Sequence, residues 1–124
     1  MKNFRDMVVW QRSHQLTLGV YKATQKFPRE ELYGLISHLR RSSSSVPCNI
    51  AEGCGRRGNG EFHKFLQIAM GSASEVEYQL LLSYELGYVA ETEYRDLSKD
   101  IVEVKKMLAG LIKRVEEARV ASNY

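Results

Sequence analysis

Residues 38–60 read HLRRSSSSVPCNIAEGCGRRGNG. Three interpretations of this stretch compete: a nucleotide-binding loop, a metal or thiol site, and a closely packed helix hairpin. Three of its glycines match G-x-G-x-x-G, a spacing that cradles a pyrophosphate only when it follows a strand in a βαβ unit. Here the glycines follow Val46 and Ile50, which continue a helical apolar pattern. The stretch therefore predicts a helix hairpin.

The glycines then have structural roles. Gly53 and Gly55 are expected to end the second helix of the chain, because glycine is favoured where helices terminate. Gly58 and Gly60 shape the turn that follows, and Asn59 is expected to cap the third helix.

On both sides of this stretch and within it, apolar residues recur in steps of three and four, and they form four segments. The first pattern stops at Phe27-Pro28, since the residue before proline is disfavoured in helical geometry. The second begins after Pro28, the third runs from Phe62 to Gly87, and the fourth predicts a helix over about 92–120. The positions in chain order are Val9, Ser13, Leu16, Val20, Ala23 and Phe27; Leu32, Leu35, Ile36, Leu39, Val46 and Ile50; Phe62, Phe65, Leu66, Ala69, Ala73, Val76, Leu80 and Tyr84; Tyr94, Leu97, Ile101, Val104, Leu108, Leu111, Val115 and Ala118.

The fold class follows from these patterns. No sustained alternation of period two occurs, and the connections are short, about 3 to 8 residues. The 124 residues, 44% of them hydrophobic and 27% charged, suit one globular domain. We expect an all-α, antiparallel up-down-up-down four-helix bundle forming a single domain over residues 1–124.

The four serines and the proline within residues 42–47 oppose a regular helix, although the apolar pattern resumes after them. Pro47 has no backbone N–H to donate to the carbonyl of Ser43. We expect a kinked second helix whose serine hydroxyls satisfy the freed carbonyls and whose small side chains admit a close neighbour. A catalytic serine is the alternative, but no acid-base partner accompanies the run.

The cysteines and histidines offer little chemistry. Cys48 and Cys54 are separated by five residues and face different sides of a helix, so they cannot close a zinc site together. The three histidines show neither H-x-x-x-H nor Glu-x-x-His spacing. We expect two small, buried, reduced thiols, no metal, no cofactor, no small-molecule substrate and no enzyme activity.

Charge is unevenly distributed along the chain. Residues 1–66 hold 11 Lys and Arg against 5 Asp and Glu, whereas residues 67–124 hold 7 against 10. A basic half is compatible with RNA, with complementary packing inside the bundle, and with pairing between subunits. The candidate phosphate-binding residues are Arg40, Arg41, Arg56, Arg57 and Lys64. The alternative is solvated surface with ion pairs to Glu30, Glu31, Glu52 or Glu61.

Two further expectations concern location and assembly. No apolar run is long enough to span a bilayer, and the first residues mix charges of both signs, so a cytoplasmic protein without membrane contact is expected. The consecutive leucines at positions 80–82, with Tyr78, Tyr84 and Tyr88 nearby, favour some contact with another subunit. A wide core face with partly exposed tyrosines is the alternative.

Several segments together resemble the 23S rRNA intervening-sequence proteins. They are Phe27-Pro28 with 31–35, LRRSSSSVPCNIAEG at 39–53, EFHKFLQIAMGSASEVE at 61–77 and LGY at 86–88. The resemblance implies an antiparallel four-helix subunit that assembles into a ring-like homopentamer, encoded in some bacteria within insertions in the large-subunit ribosomal RNA gene. That family is also similar in fold to the accessory protein of diversity-generating retroelements, a basic pentamer that binds nucleic acid.

Residues and resemblance together favour a non-enzymatic, homo-oligomeric protein that binds RNA or a ribonucleoprotein through its basic patches. The choice between RNA and DNA stays open at this level. A structural or protein-interaction scaffold without nucleic-acid binding is the second hypothesis.

Overall fold

The structure is a computed structural model that describes residues 2–122, and its regular elements within that range are all helical. Four long helices dominate: α1 (Val8–Thr24), α2 (Ser37–Cys54), α3 (Gly58–Glu85) and α4 (Glu91–Ser122). Single turns of 3-10 helix at Phe4–Asp6 and Arg29–Glu31 and a π-helical turn at Leu32–Ile36 complete the chain. The prediction of an all-α four-helix fold is confirmed.

Contacts between named pairs define how the helices run. Thr17 of α1 meets Ser43 of α2, while Thr24 meets Arg40, so the partner number falls as the chain number rises. The same reversal relates α2 to α3, α3 to α4, and α4 back to α1. Each helix therefore lies antiparallel to both of its neighbours. The pairs that show it are Ser45–Ser72 with Gly53–Phe62, Glu77–Lys105 with His63–Glu116, and Gly19–Leu97 with Lys26–Glu93.

The core lies between the four helices at the positions that the apolar patterns predict. Burial of these apolar side chains away from water supplies the main driving force for folding. Its largest fully buried side chains are Leu16, Val20, Leu39, Val46, Ile50, Leu66, Val76, Leu80, Ile101, Val104 and Leu108. Two positions of the patterns are exposed, Leu32 at 47% and Ala118, because both lie near chain segments where the four-helix core ends. Four others are only partly buried: Phe65, Tyr84, Tyr94 and Leu111.

Helix α2 runs without interruption through Pro47. Ser43 is fully buried, and its carbonyl accepts a hydrogen bond from the Thr17 hydroxyl of α1 at 2.9 Å. The expectation that a serine hydroxyl would serve this carbonyl is wrong at this position, since the donor comes from the neighbouring helix. A kink at Pro47 stays a prediction.

The backbone departs from helical geometry before α2, at Gly34 (φ −109°, ψ −110°). The carboxylate of Glu31 accepts hydrogen bonds at 3.1 Å from the backbone N–H of Leu35 and from the hydroxyl of Tyr88. A Cβ at position 34 would lie 2.8 Å from a Glu31 oxygen. Gly34 thus leaves room for the carboxylate that joins this turn to the α3–α4 connection.

The turn between α2 and α3 is short and brings the two helices into close contact. Gly55 caps α2 and Arg57 precedes α3, while Gly58 adopts a positive φ of 79° that favours glycine. The prediction that Asn59 caps α3 is wrong: the helix begins at Gly58, because the positive φ there completes the turn one residue earlier.

Candidate nucleic-acid interface

Three chain segments meet at the end of the bundle where α2 passes into α3. The N-terminal residues Lys2 and Arg5 line a cleft against Cys54 and Gly55 at the end of α2. Lys2 also lines an adjoining cavity together with Arg56 and the first residues of α3. We call the surface formed by Lys2, Arg5, Arg56, Arg57 and the first turn of α3 the basic end.

Aromatic rings hold three of these four cations in place. Each charged group lies over the face of a phenylalanine, an arrangement that favours a cation and restrains a flexible side chain. The pairs, with distances from the cation to the ring centroid, are Lys2–Phe62 at 4.8 Å, Arg5–Phe4 at 4.6 Å and Arg56–Phe65 at 5.1 Å. The charges at the basic end are therefore positioned before any partner arrives.

The start of α3 adds backbone donors to the same surface. Arg57 precedes the helix in an extended conformation, and its side chain does not cap the first turn. The first amide N–H groups of a helix have no acceptor within it and carry a partial positive charge. Gly58 and Asn59 line the cavity that Lys2 and Arg56 also line, so the start of α3 borders the same space as these two side-chain cations.

Carboxylates neutralise part of this charge. Glu52 pairs with Arg56 at 2.8 Å, one helical turn apart and about half exposed on both sides. Arg57 and Lys64 are exposed, and within residues 2–122 neither has a carboxylate within 4.0 Å. The basic end therefore carries a net positive charge, and Arg57 there has no ion-pair partner among the described residues.

Arg40 lies elsewhere and is engaged inside the subunit. Its Nε donates to the Thr24 hydroxyl at 2.9 Å, its Nη2 donates to the carbonyl of Tyr21 at 3.4 Å, and its guanidinium lies 4.7 Å from the Tyr21 ring centroid. These contacts join α2 to the last turn of α1. Arg40 and Arg56 are 16 residues apart along the chain, roughly 24 Å at 1.5 Å per residue, so they do not share a patch.

Arg41 faces a groove between α2 and α3. Its neighbours there are all polar, and three of them are serines: His38, Ser42, Ser45, Ser72, Glu75 and Gln79. The five basic residues that the sequence suggests are therefore spread over the subunit. Arg56 and Arg57 lie at the basic end, and Lys64 is exposed further along α3. Arg40 lies at the α1–α2 contact, and Arg41 lies in this groove.

Lys2 and Arg5 are the members of the basic end that sequence reasoning misses. They precede the first amphipathic helix by several residues, and their distance along the chain from Arg56 gives no indication of proximity. The sequence feature that could have indicated them is composition. Two cations lie close to Phe4 in the segment Lys2–Arg5, within the basic half of the chain.

The thiols divide by burial. Cys54 is buried with its Sγ 3.3 Å from Sδ of Met7, and burial raises the pKa of this thiol above its ordinary value. The expectation that both cysteines are buried is wrong for Cys48, which is exposed because it lies on the outer face of α2. Neither forms a disulfide.

Residues 2–122 offer neither a cluster of metal ligands nor a membrane-spanning helix. No three His, Cys, Asp or Glu side chains there come close enough together to hold a metal ion. Nor does any helix in that range combine the length and apolar character needed to cross a bilayer.

Comparison with known proteins identifies the family. The 23S rRNA-intervening sequence protein family matches residues 5–110. No curated protein matches the chain. A crystal structure of a protein of unknown function from the S23 ribosomal protein family of Bacteroides thetaiotaomicron is similar, with 27% identity, a TM-score of 0.77, and coverage of 86% of this chain and 99% of that one. Because the match spans most of the sequence and the bundle has the same fold as that structure, the chain belongs to the 23S rRNA-intervening sequence protein family.

Proposed function

We propose that this protein is a non-enzymatic, homo-oligomeric RNA-binding module that contacts RNA phosphates through its basic end. The observation that carries the proposal is the convergence of Lys2, Arg5, Arg56 and Arg57 on one end of the bundle beside the uncapped start of α3. Family membership supports an association with ribosomal RNA genes, and the unpaired thiols support action in the cytoplasm.

The chemistry of this end suits a polyanion. Guanidinium groups form paired hydrogen bonds with phosphate oxygens, and backbone N–H groups at a helix start bind the same oxygens. The rings beneath Lys2, Arg5 and Arg56 limit the conformational freedom that these side chains would otherwise lose on binding. Contacts of this kind position a nucleic acid without reading its sequence.

Assembly would multiply the basic end. The outer face of α3 exposes Tyr78 and Leu81, 62% and 39% accessible, beside the small residues Gly71 and Ser74. On the other side of the subunit, α1 and α4 leave an apolar groove of 450 Å³ lined by Met7, Val8, Val9, Met107 and Leu111, with Lys106 and Arg114 at its edges. Two unlike surfaces with apolar character suit a head-to-tail contact that closes into a ring, and we propose a pentamer.

Binding of fluorescent structured RNA across a salt series tests the phosphate contacts. We expect affinity to fall steeply with salt, and the double variant Arg56→Ala/Arg57→Ala to bind roughly tenfold more weakly with a salt slope shallower by about two. The matched control, Lys22→Ala/Lys99→Ala, removes the same charge from exposed positions nearer the opposite end. Equal losses in both variants, or no binding at low salt, would disprove the proposal, and a DNA of the same sequence identifies the preferred nucleic acid.

A protein-interaction scaffold is the second candidate, favoured by the apolar groove between α1 and α4. Light scattering distinguishes the two. If Arg56→Ala/Arg57→Ala breaks the oligomer while nucleic-acid retention is unchanged, the basic end serves assembly and the scaffold function is preferred.

A further inference from the structure

The groove between α2 and α3 is lined by polar side chains from both helices. It has a volume of 320 Å³, within the range of roughly 300–1,000 Å³ typical of such sites. Its α2 wall is His38, Arg41, Ser42 and Ser45, and its α3 wall is Ser72, Glu75 and Gln79. The serines occupy little volume, and the hydrogen bond between Ser45 and Ser72, 2.8 Å long, closes one end of the groove.

One polar atom in the groove wall has no partner. Oε1 of Gln79 is buried and accepts no hydrogen bond within the described chain. A buried polar atom left in this state is destabilising, and native proteins contain few of them. The last torsion of a glutamine is soft, so the Gln79 amide can turn toward a molecule in the groove.

Opposite charges face each other across the groove without forming an ion pair. Arg41 and Glu75 both line it and both are exposed, yet no contact within 4.0 Å joins them. His38 lies one turn from Arg41 on the same wall. The groove therefore offers an anion site on α2 and a hydrogen-bond acceptor site on α3.

We propose that the α2–α3 groove binds a guanosine phosphate unit, either a free nucleotide or an unpaired guanosine in RNA. Arg41 and His38 contact the phosphate, the Glu75 carboxylate accepts from the base, and the Gln79 amide pairs with the adjacent base edge. For its RNA source, this inference rests on the proposed function. The placement agrees with the general use of unpaired bases in RNA recognition.

The carboxylate selects guanine among the four bases. Two carboxylate oxygens accept from two neighbouring donors, and only guanine carries such a pair, N1–H and the 2-amino group, on its Watson–Crick edge. Adenine and cytosine present one amino group and uracil one N–H there. A bidentate contact of this kind discriminates against the wrong base by roughly tenfold or more in affinity.

Calorimetric titration of the full chain with GMP, IMP, AMP and CMP tests the site. We expect GMP to bind roughly tenfold more tightly than AMP and CMP, and IMP to lose most of the advantage because it lacks the 2-amino group. Glu75→Gln should abolish the preference, Arg41→Ala should weaken all four nucleotides alike, and Gln79→Met should weaken GMP. Glu85→Gln, an exposed α3 change outside the groove, should change nothing.

The RNA source is tested with single-stranded heptamers, one of uridine only and one with a central guanosine. Tighter binding of the guanosine heptamer, lost in Glu75→Gln, assigns the site to RNA; a preference for GMP alone assigns it to free nucleotide. Equal affinities for all four nucleotides, or no GMP binding, would overturn the inference. If GMP fails while the basic end still retains RNA, only this inference falls; if GMP binds while RNA is not retained, the proposed function falls instead.

Discussion

The hydroxyl of Thr17 on α1 donates to the carbonyl of Ser43 on α2 at 2.9 Å, and this is the carbonyl that Pro47 leaves without a helical donor. The hydroxyl lies within reach of the Ser13 carbonyl as well, at 3.0 Å, so its single hydrogen is shared. Both Thr17 and Ser43 are buried. The proline is thus accommodated by the neighbouring helix, which couples the first two helices of the bundle.

Thr17→Val should destabilise the protein by roughly 1–3 kcal/mol, because it leaves the buried Ser43 carbonyl without a donor. In a Pro47→Ala background the alanine N–H can donate to that carbonyl, so the same change should cost less. Urea unfolding of the four proteins in this double-mutant cycle measures the difference. Equal costs in both backgrounds would show that the Thr17 hydroxyl does not serve this carbonyl.

Gly53→Ala should destabilise the protein by about 1–3 kcal/mol through overpacking. A Cβ at this position would lie 2.9 Å from the Phe62 ring and 3.0 Å from Cβ of Phe65, which is fixed to its backbone. The matched control is Gly71→Ala in the middle of α3, where a Cβ meets nothing within 4 Å. It should stabilise the subunit by roughly 0.5–1 kcal/mol through helix propensity, and thermal unfolding under oligomer-dissociating conditions distinguishes the two directions.

Arg40→Ala should lower stability while leaving RNA affinity nearly unchanged. The Arg40 guanidinium donates to Thr24 and Tyr21, and such bonds from a charged donor contribute roughly 1.5–3 kcal/mol. Arg41→Ala, one residue away and exposed, should change stability by less than about 0.5 kcal/mol. Chemical unfolding and RNA titration of both variants check this; unchanged stability with weakened RNA binding in Arg40→Ala would instead give Arg40 the phosphate role.

Stability should fall in acid partly through Glu116. Hydrogen bonds from Arg119, together with the nearby Arg119 and His63 charges, hold the pKa of Glu116 below its ordinary value. The unfolded chain therefore takes up this proton first as the pH falls. The stabilisation is complete above the ordinary glutamate pKa of roughly 4.3 and is lost as the pH drops through the lower folded value.

Glu116→Gln should accordingly be less stable than the parent at pH 7 and should show a weaker loss of stability between neutral and acid pH. Urea midpoints measured at several pH values report this. Glu117→Gln, the adjacent exposed carboxylate, is the control. Parallel pH profiles for the parent and Glu116→Gln would contradict the assignment.

The helical periodicity of apolar residues predicts most of the fold. The seam from Leu97 to Val115 predicted α4 to within two residues at either end, because every third or fourth side chain of that helix faces the same core. Local turn chemistry was less informative. Asn59 has the side chain of a helix cap, yet the positive φ of Gly58 starts α3 before it.

The candidate site was only partly accessible to sequence reasoning. The basic first half of the sequence makes Arg56 and Arg57 candidates for phosphate binding, and the structure places them at the basic end. Lys2 and Arg5 join them only through folding, since segments some fifty residues apart in the chain meet there. Arg40 is a candidate by charge as well, but its guanidinium donates to the Thr24 hydroxyl of α1, a contact that no local pattern encodes.

The number and type of the helices and the buried face of each can be predicted from the sequence, because these properties depend on side-chain order and the helical repeat. Tertiary structure alone decided which charges share a surface, which hydroxyl serves the carbonyl of Ser43, and which polar atom of the α2–α3 groove is left without a partner. Those properties depend on distances between helices, and distances between helices arise only when four apolar faces pack together.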